Sequence, residues 1–294
     1  MLRLLAFLML PFALAAAAPA AAAPFKSDRI AVEVEGSGPD VVLIPGLSSS
    51  PRVWDTTVAA LPGYRYHLVH VAGFDGLAPG ANAAGPVVAP VAEEIARYIT
   101  EAGLKRPAIV GHSLGGTWAM MIAAHHPQLV SKMMVVDMFP FMGAMFAGPA
   151  ATADTLRPIA DQIRKGIASG TGEARKAAVE KTVAGMVKTE SARPMIMAQS
   201  LASDGAVSGQ AMYELILLDL RPDLAKIKVP TEVLYAIPAA TPVTPEQIDQ
   251  YFKVSYAGIP HAIVKRVPDS YHFIMIDNPA VFRAELKAFL AAKP

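Results

Sequence analysis

Short apolar runs alternate with stretches of helical periodicity along most of the chain. Residues 30–34 (IAVEV) interleave apolar and acidic positions, as a strand at a sheet edge does. Residues 41–44 (VVLI) form an unbroken apolar run ended by Pro45-Gly46, which predicts a buried strand. Ser50-Pro51 predicts a helix start, with serine as N-cap and proline at the first helical position. Residues 66–71 predict another strand. The stretch 76–90 carries Gly76, Pro79, Gly80, Gly85, Pro86 and Pro90, so a loop is expected before a helix at 91–101. Strands at 107–110 and 133–136 enclose a helix at 114–125 that Pro127 ends. This alternation predicts a mostly parallel sheet covered by helices on both faces, an α/β fold.

From 139 to 220 the pattern turns helical, with expected helices at 152–168, 173–188, 192–203 and 207–218. Strands resume at 231–236 and 262–267, with a helix between them and a last one at 279–291. The expected organisation is an α/β core of 24–138 and 221–294 that carries an all-helical insertion at 139–220. Residues 1–23 stand apart. Arg3 supplies a positive start, an apolar core follows, and the alanines offer A-x-A sites such as Ala20-Ala21-Ala22. That is the pattern of a cleaved signal peptide, which predicts export to the periplasm or medium. Pro11 and Pro19 interrupt the run, which argues against a membrane anchor of ~20 residues.

Composition narrows the chemistry. The 294 residues are 53% hydrophobic and 17% charged, enough apolar material for a core. Lys+Arg 26 against Asp+Glu 25 leaves a net charge of +1, and no basic stripe favours nucleic acid. Zero Cys excludes disulfides, thiolate zinc sites and cysteine nucleophiles. No spacing motif supports a metal site, and no metal or organic cofactor is expected. The pattern carries no signal for an oligomeric state.

Gly111-His112-Ser113-Leu114-Gly115-Gly116 lies between an expected strand and an expected helix. G-x-S-x-G in that setting turns the chain sharply, exposes the serine hydroxyl and places it at a helix N-terminus. With LIPGLSSSPRVW, VGHSLGG and YHFIMIDNPAVFRAELKAFL, the chain resembles the α/β-hydrolase superfamily over nearly its whole length after residue 23, and the helical insertion resembles that family's cap. The resemblance implies an α/β-hydrolase fold and a serine hydrolase.

It also implies roles. Ser113 is the expected nucleophile and His272, before the last helix, the expected general base and acid. The other histidines have blander expectations: His67, His70 and His261 at strands, His125 and His126 at a helix C-terminus, His112 pointing away from Ser113. The acid departs from the commonest pattern, since 237–244 contains no carboxylate. Asp137, at the end of the next strand, is expected to take that role. Glu246 reads instead as part of a helix start in which Thr244 caps, Pro245 follows and Gln247 closes a capping box. Asp269 sits too near His272 in sequence to orient it. The amides of Leu47 and Leu114 are the expected oxyanion donors.

Trp54, Phe74, Met138, Phe139 and Met142, with Phe141, Met145 and Phe146 nearby, are expected to wall an apolar pocket. That favours a carboxylic ester with a modest apolar acyl or aryl group, cleaved through an acyl-enzyme, with no stable membrane insertion after cleavage of the signal. A lactonase, an amidase, a carbon–carbon bond hydrolase, or a binding protein on a decayed hydrolase fold are the alternatives. A dehalogenase is disfavoured, because its nucleophile at this position would be an aspartate.

Overall fold

The computed structural model describes residues 25–237 and 244–293. The expected signal segment and most of the loop after residue 236 lie outside them. Seven strands form one sheet: β1 (Ile30–Gly36), β2 (Asp40–Ile44), β3 (Arg65–Val71), β4 (Ala108–His112), β5 (Lys132–Val136), β6 (Thr231–Tyr235) and β7 (Ile263–Arg266). Their order is β1-β3-β2-β4-β5-β6-β7, and β1 alone runs antiparallel. The unbroken apolar runs become the central strands: β4, β5 and β6 are buried at every position. The alternating or charged runs, β1 and β7, become the exposed edges.

Helices follow in the expected order. α1 (Asp55–Ala60) comes after a short 3-10 turn at Pro51–Trp54, then α2 (Val88–Glu101) and α3 (Leu114–His125). The segment between β5 and β6 holds α4 (Ala144–Ala147), α5 (Ala153–Ser169), α6 (Gly172–Met186), α7 (Arg193–Ala202) and α8 (Gly205–Leu217). α9 (Pro245–Ser255), α10 (Ile274–Asp277) and α11 (Pro279–Ala291) complete the chain. None of the described helices is long and apolar enough to cross a membrane.

Two details differ from expectation. α2 begins at Val88, with Pro90 in its first turn, where a missing N–H leaves no bond unmade. The free amides of Val87 and Val88 are taken by the Glu214 carboxylate of α8 at 2.7–3.1 Å. Ser50 makes no side-chain cap: the 3-10 turn it opens is closed by the Val53 amide on the Ser50 carbonyl, and its hydroxyl has no partner. The Thr244–Gln247 capping box forms as expected.

An apolar layer covers each face of the sheet. α2 and α3 pack on one, and Val207, Ala211 and Leu215 of α8 join them. α11 packs on the other, with Val183 of α6 and Ile196 of α7. The inserted helices are therefore docked on both layers. α5 and α8 add a small core of their own around Leu156, Ala160 and Ile216. Lys132, buried in β5, spends its ammonium on the last carbonyls of α11 at Phe289, Leu290 and Ala292.

Register places the site. Ile44 of β2 pairs with Gly111, His112 of β4 pairs with Val136, and Val136 pairs with Leu234. The residues that leave the C-terminal ends of β2, β4, β5 and β6 therefore emerge side by side. In open α/β sheets that edge is where ligands bind.

Candidate active site

Ser113 leaves β4 at φ 53 and ψ −124, a left-handed backbone that a serine adopts only under constraint. The constraint is visible on both sides. A Cβ on Gly111 would lie 2.1 Å from the Gly115 oxygen, and one on Gly115 would lie 2.2 Å from the Ile44 oxygen. Only glycine permits the start of α3 to press so closely on β4 and β2. The Ser113 amide extends the sheet ladder to the Val136 carbonyl at 2.9 Å. Its side chain remains partly exposed.

Asp137 is the residue after Val136, so it leaves the sheet directly beside Ser113. Its backbone is also left-handed, at φ 53. One carboxylate oxygen, Oδ1, accepts the Ala236 amide at 2.9 Å. The other, Oδ2, accepts the His272 Nδ1–H at 2.6 Å. That contact sets the His272 tautomer and leaves its Nε2 lone pair free. Among the described residues neither Nε2 of His272 nor Oγ of Ser113 has a hydrogen-bond partner. Glu246 is exposed in the first turn of α9, and Asp269 is exposed and paired with Lys188. No contact ties either of them to His272.

His112 does not point away from the site, contrary to expectation. It is fully buried, with its ring 4.6 Å from that of His272 and 4.7 Å from that of Phe273. Its Nε2–H donates to the His272 carbonyl at 3.0 Å, while its Nδ1 has no partner. Burial holds this imidazole neutral, well below its ordinary pKa, and the neighbouring His272 pushes in the same direction. The strand that delivers the serine thus also grips the loop that delivers the histidine.

The remaining histidines have local partners: His67 with Tyr98 and Asp40, His70 with the Phe74 carbonyl, and His261 with the Val229 carbonyl. His125 faces Asp223, and His126 faces Glu93.

After β2 the chain turns back at Gly46–Ser49, closed by the Ser49 amide on the Gly46 oxygen at 3.3 Å. A Cβ on Gly46 would lie 2.9 Å from the Ser113 Cβ and 3.1 Å from His112 Nδ1, so this turn touches Ser113. Neither the Leu47 nor the Leu114 amide has an acceptor among the described residues. The structure thus holds a partly exposed serine at a helix N-terminus, a carboxylate-oriented imidazole, and two unused amides at one sheet edge.

The alpha/beta hydrolase family model matches residues 41–285, which span every element of this edge. The chain belongs to the alpha/beta hydrolase family. It is 31% identical over 215 residues to a pimeloyl-acyl-carrier-protein methyl ester esterase of Vibrio cholerae, covering 69% of this chain and 77% of that protein. A protein of the same description from Vibrio atlanticus is 37% identical over 119 residues, which span 40% of this chain and 43% of that one. Among solved structures, an esterase from Exiguobacterium antarcticum superposes with a TM-score of 0.73 at 22% identity, over 90% of this chain and 96% of that one.

Three of the five expected wall residues of this hydrolase, Trp54, Phe74 and Met138, are buried in the core. Trp54 is 0% exposed and stacks on Phe282 of α11, ring centroids 6.0 Å apart. Phe74 is also sealed, in the core beside Val207 of α8. Both belong to the core because the loops that carry them fold inward under helices. Met138 is buried against Gly116, and its carbonyl takes the Tyr256 hydroxyl at 2.6 Å. Phe139 remains half-buried in a ring ladder with Phe252 and Tyr235. Met142 is half-buried too, whereas Phe141 is sealed against Leu156 and Met145 and Phe146 are exposed. Phe139 and Met142 alone of the five expected wall residues keep accessible surface. An open cavity of about 760 Å³ lies by β1 and β3, and none of its lining residues belongs to this edge.

Proposed function

We propose that this hydrolase is an exported serine esterase acting on carboxylic esters with a modest apolar acyl or aryl group. The observation that carries it is the 2.6 Å contact of His272 with Asp137, one register step from Ser113 at its strained turn. Ser113 Oγ attacks the ester carbonyl while His272 Nε2 takes its proton. The Asp137 carboxylate holds the imidazole in the required tautomer and favours the imidazolium that forms. The Leu47 and Leu114 amides receive the oxyanion. His272 then protonates the departing alcohol, and a water, deprotonated by the same imidazole, releases the acid from Ser113.

The relatives named as methyl ester esterases support an ester with a small alcohol part. The partly accessible Phe139 and Met142 support an apolar acyl side. Residues 1–23 support export.

The test is the intact mass of the protein after exposure to a fluorophosphonate, with a panel of p-nitrophenyl esters alongside. One adduct per chain, absent from Ser113→Ala, and ester turnover lost in the same variant are expected. A wild-type protein that neither labels nor turns over any ester refutes the proposal. Removal of the first 23 residues from the exported protein, read by N-terminal sequencing, tests the export.

A further inference from the structure

The turn that carries Leu47 is not held by the sheet alone. Ser48 stands at φ 54, at the third position of the Gly46–Ser49 turn, where a glycine or asparagine is the usual occupant. Such a backbone persists only where its surroundings over-determine it. Here the surroundings are the inserted helices. Ser48 Oγ is hydrogen-bonded to Ser208 Oγ of α8 at 2.8 Å. The Ser50 amide donates to Oε1 of Gln199 on α7 at 3.2 Å. Ser50, Gln199 and Ser208 are all at most 3% exposed.

A buried polar seam is a costly way to dock two apolar surfaces. It is not even saturated, since Ser50 Oγ and Gln199 Nε2 lack partners. Val207 and Ile196, on the same helices, show that apolar docking is available nearby. What polar contacts add over apolar ones is direction: one of these ends on the turn beside the expected oxyanion donor, and the other on the residue that leaves it.

We propose that Gln199 and Ser208, both carried by the inserted helices, are positioning residues that fix the Gly46–Ser49 turn, so that the Leu47 amide faces the oxyanion only while those helices are docked. The inference rests on the serine-esterase proposal and adds to it: the helical insertion completes the catalytic geometry as well as covering the site.

The experiment compares Gln199→Leu, Ser208→Ala and Ser208→Thr with wild type on a short-chain p-nitrophenyl ester. It follows kcat, KM, the pH profile, thermal melting, and inhibition by phenylboronic acid, which forms a tetrahedral adduct on a reactive serine. A displaced donor is expected to lower kcat about tenfold or more in Gln199→Leu and Ser208→Ala. KM should move less than twofold and the pH profile should stay in place, because Asp137 and His272 are untouched. Boronic acid affinity should fall in parallel with kcat, and Ser208→Thr, which keeps the hydroxyl, should recover most of the loss. Should Gln199→Leu fail to fold, Ser208→Ala decides, since it removes a single hydroxyl. Folded variants with wild-type kcat and boronic acid affinity overturn the inference while leaving the esterase standing. A wild type inert to esters and fluorophosphonate removes both.

Discussion

The sheet edge and the inserted helices contribute to one site by different physical means. At the sheet edge, position follows from register: Ile44, Gly111, His112, Val136 and Leu234 are locked by parallel ladders. The groups that follow them have little freedom. Ser113, Asp137 and the turn at Gly46 are fixed by main-chain bonds and by contacts that exclude a Cβ. The inserted helices reach the turn beside Ser113 through the side chains of Gln199 and Ser208, while the Glu214 carboxylate fastens α8 to α2 away from it. They also meet the His272 loop, where the Phe273 amide donates to the Met186 carbonyl and Asp277 takes the Lys188 and Thr189 amides. Main-chain register tolerates most substitutions, whereas a side-chain fastening is lost with one residue. The comparison predicts large catalytic losses with little unfolding at the edge, and smaller, separable effects in the helices.

The largest effect is expected at Asp137, the proposed triad acid. Asp137→Asn keeps the shape but reverses the hydrogen-bonding demand on His272 Nδ1, which favours the wrong tautomer. kcat should fall about 10⁴-fold. Melting should change little, because an amide oxygen still accepts from Ala236. Steady-state kinetics on a p-nitrophenyl ester reads the loss. A variant within tenfold of wild type would mean that another group orients His272.

Gly46→Ala comes next. Its Cβ meets the Ser113 Cβ at 2.9 Å and His112 Nδ1 at 3.1 Å, and neither is the far end of a flexible chain. The turn must move away from Ser113 by a few tenths of an ångström or more. A loss of about 10²-fold in kcat is expected, since small misplacements at a reacting centre are amplified. Kinetics alongside a thermal melt checks it. An active Gly46→Ala protein would show that the turn is not a working part of the site.

The sequence made one side of this comparison legible. The central strands and the helices 114–125 and 279–291 follow from apolar runs and their breakers, because a buried parallel strand is written as a near-continuous apolar run, and the edge strand at 30–34 follows from its alternation. Asp137 follows from the family resemblance, which allows the acid at this strand end when 237–244 has no carboxylate. The helices at 139–220 were also readable as helices. What was not readable was what they touch. Gln199 looks like any polar residue on a helix, and nothing in its spacing to Ile196 says that it faces Ser50. Trp54 and Phe74 carry the same ambiguity in reverse, because a loop aromatic is equally good as pocket wall or as core. His112 is visible beside Ser113, but its packing against the His272 ring is not written in its neighbours. Its side chain is directed by the pairing of β4 with β5 and by the path of a loop far along the chain.

His112 also offers a test in pH. Its native pKa lies well below 6.5, so the folded protein keeps it neutral while the unfolded chain takes up a proton below that value. A group with a depressed cationic pKa contributes stability above its unfolded pKa and loses it as pH falls below that point. His112→Phe removes the titration and keeps an apolar ring against Phe273. Urea unfolding at intervals between pH 7 and 5 should give a flatter decline for the variant than for wild type. The difference is bounded by one proton, about 1.4 kcal/mol per pH unit. Identical slopes would mean that His112 is protonated in the fold.

The smallest predicted effect separates fastening from catalysis. Glu214 joins α8 to the N-terminus of α2, accepting the Val87 and Val88 amides and the Gln210 side-chain amide. A carboxylate there satisfies two orphan donors and meets the positive end of the helix dipole. Glu214→Ala should cost about 1 kcal/mol, and Tm should fall by about 2–4 °C. kcat should stay at the wild-type level, because none of the groups it bonds touches Ser113, His272 or the Gly46 turn. Glu214→Gln, which keeps one acceptor oxygen, should lose less stability. Set beside Ser208→Ala, this pair asks whether the inserted helices act on chemistry through the serine–glutamine seam or merely through being attached. A loss of kcat in Glu214→Ala as large as in Ser208→Ala would mean that any loosening of these helices spoils the site. The turn would then have no special claim on Gln199 and Ser208. Loss of stability alone, with kcat intact, leaves the seam as the route by which the helices reach the reacting atoms.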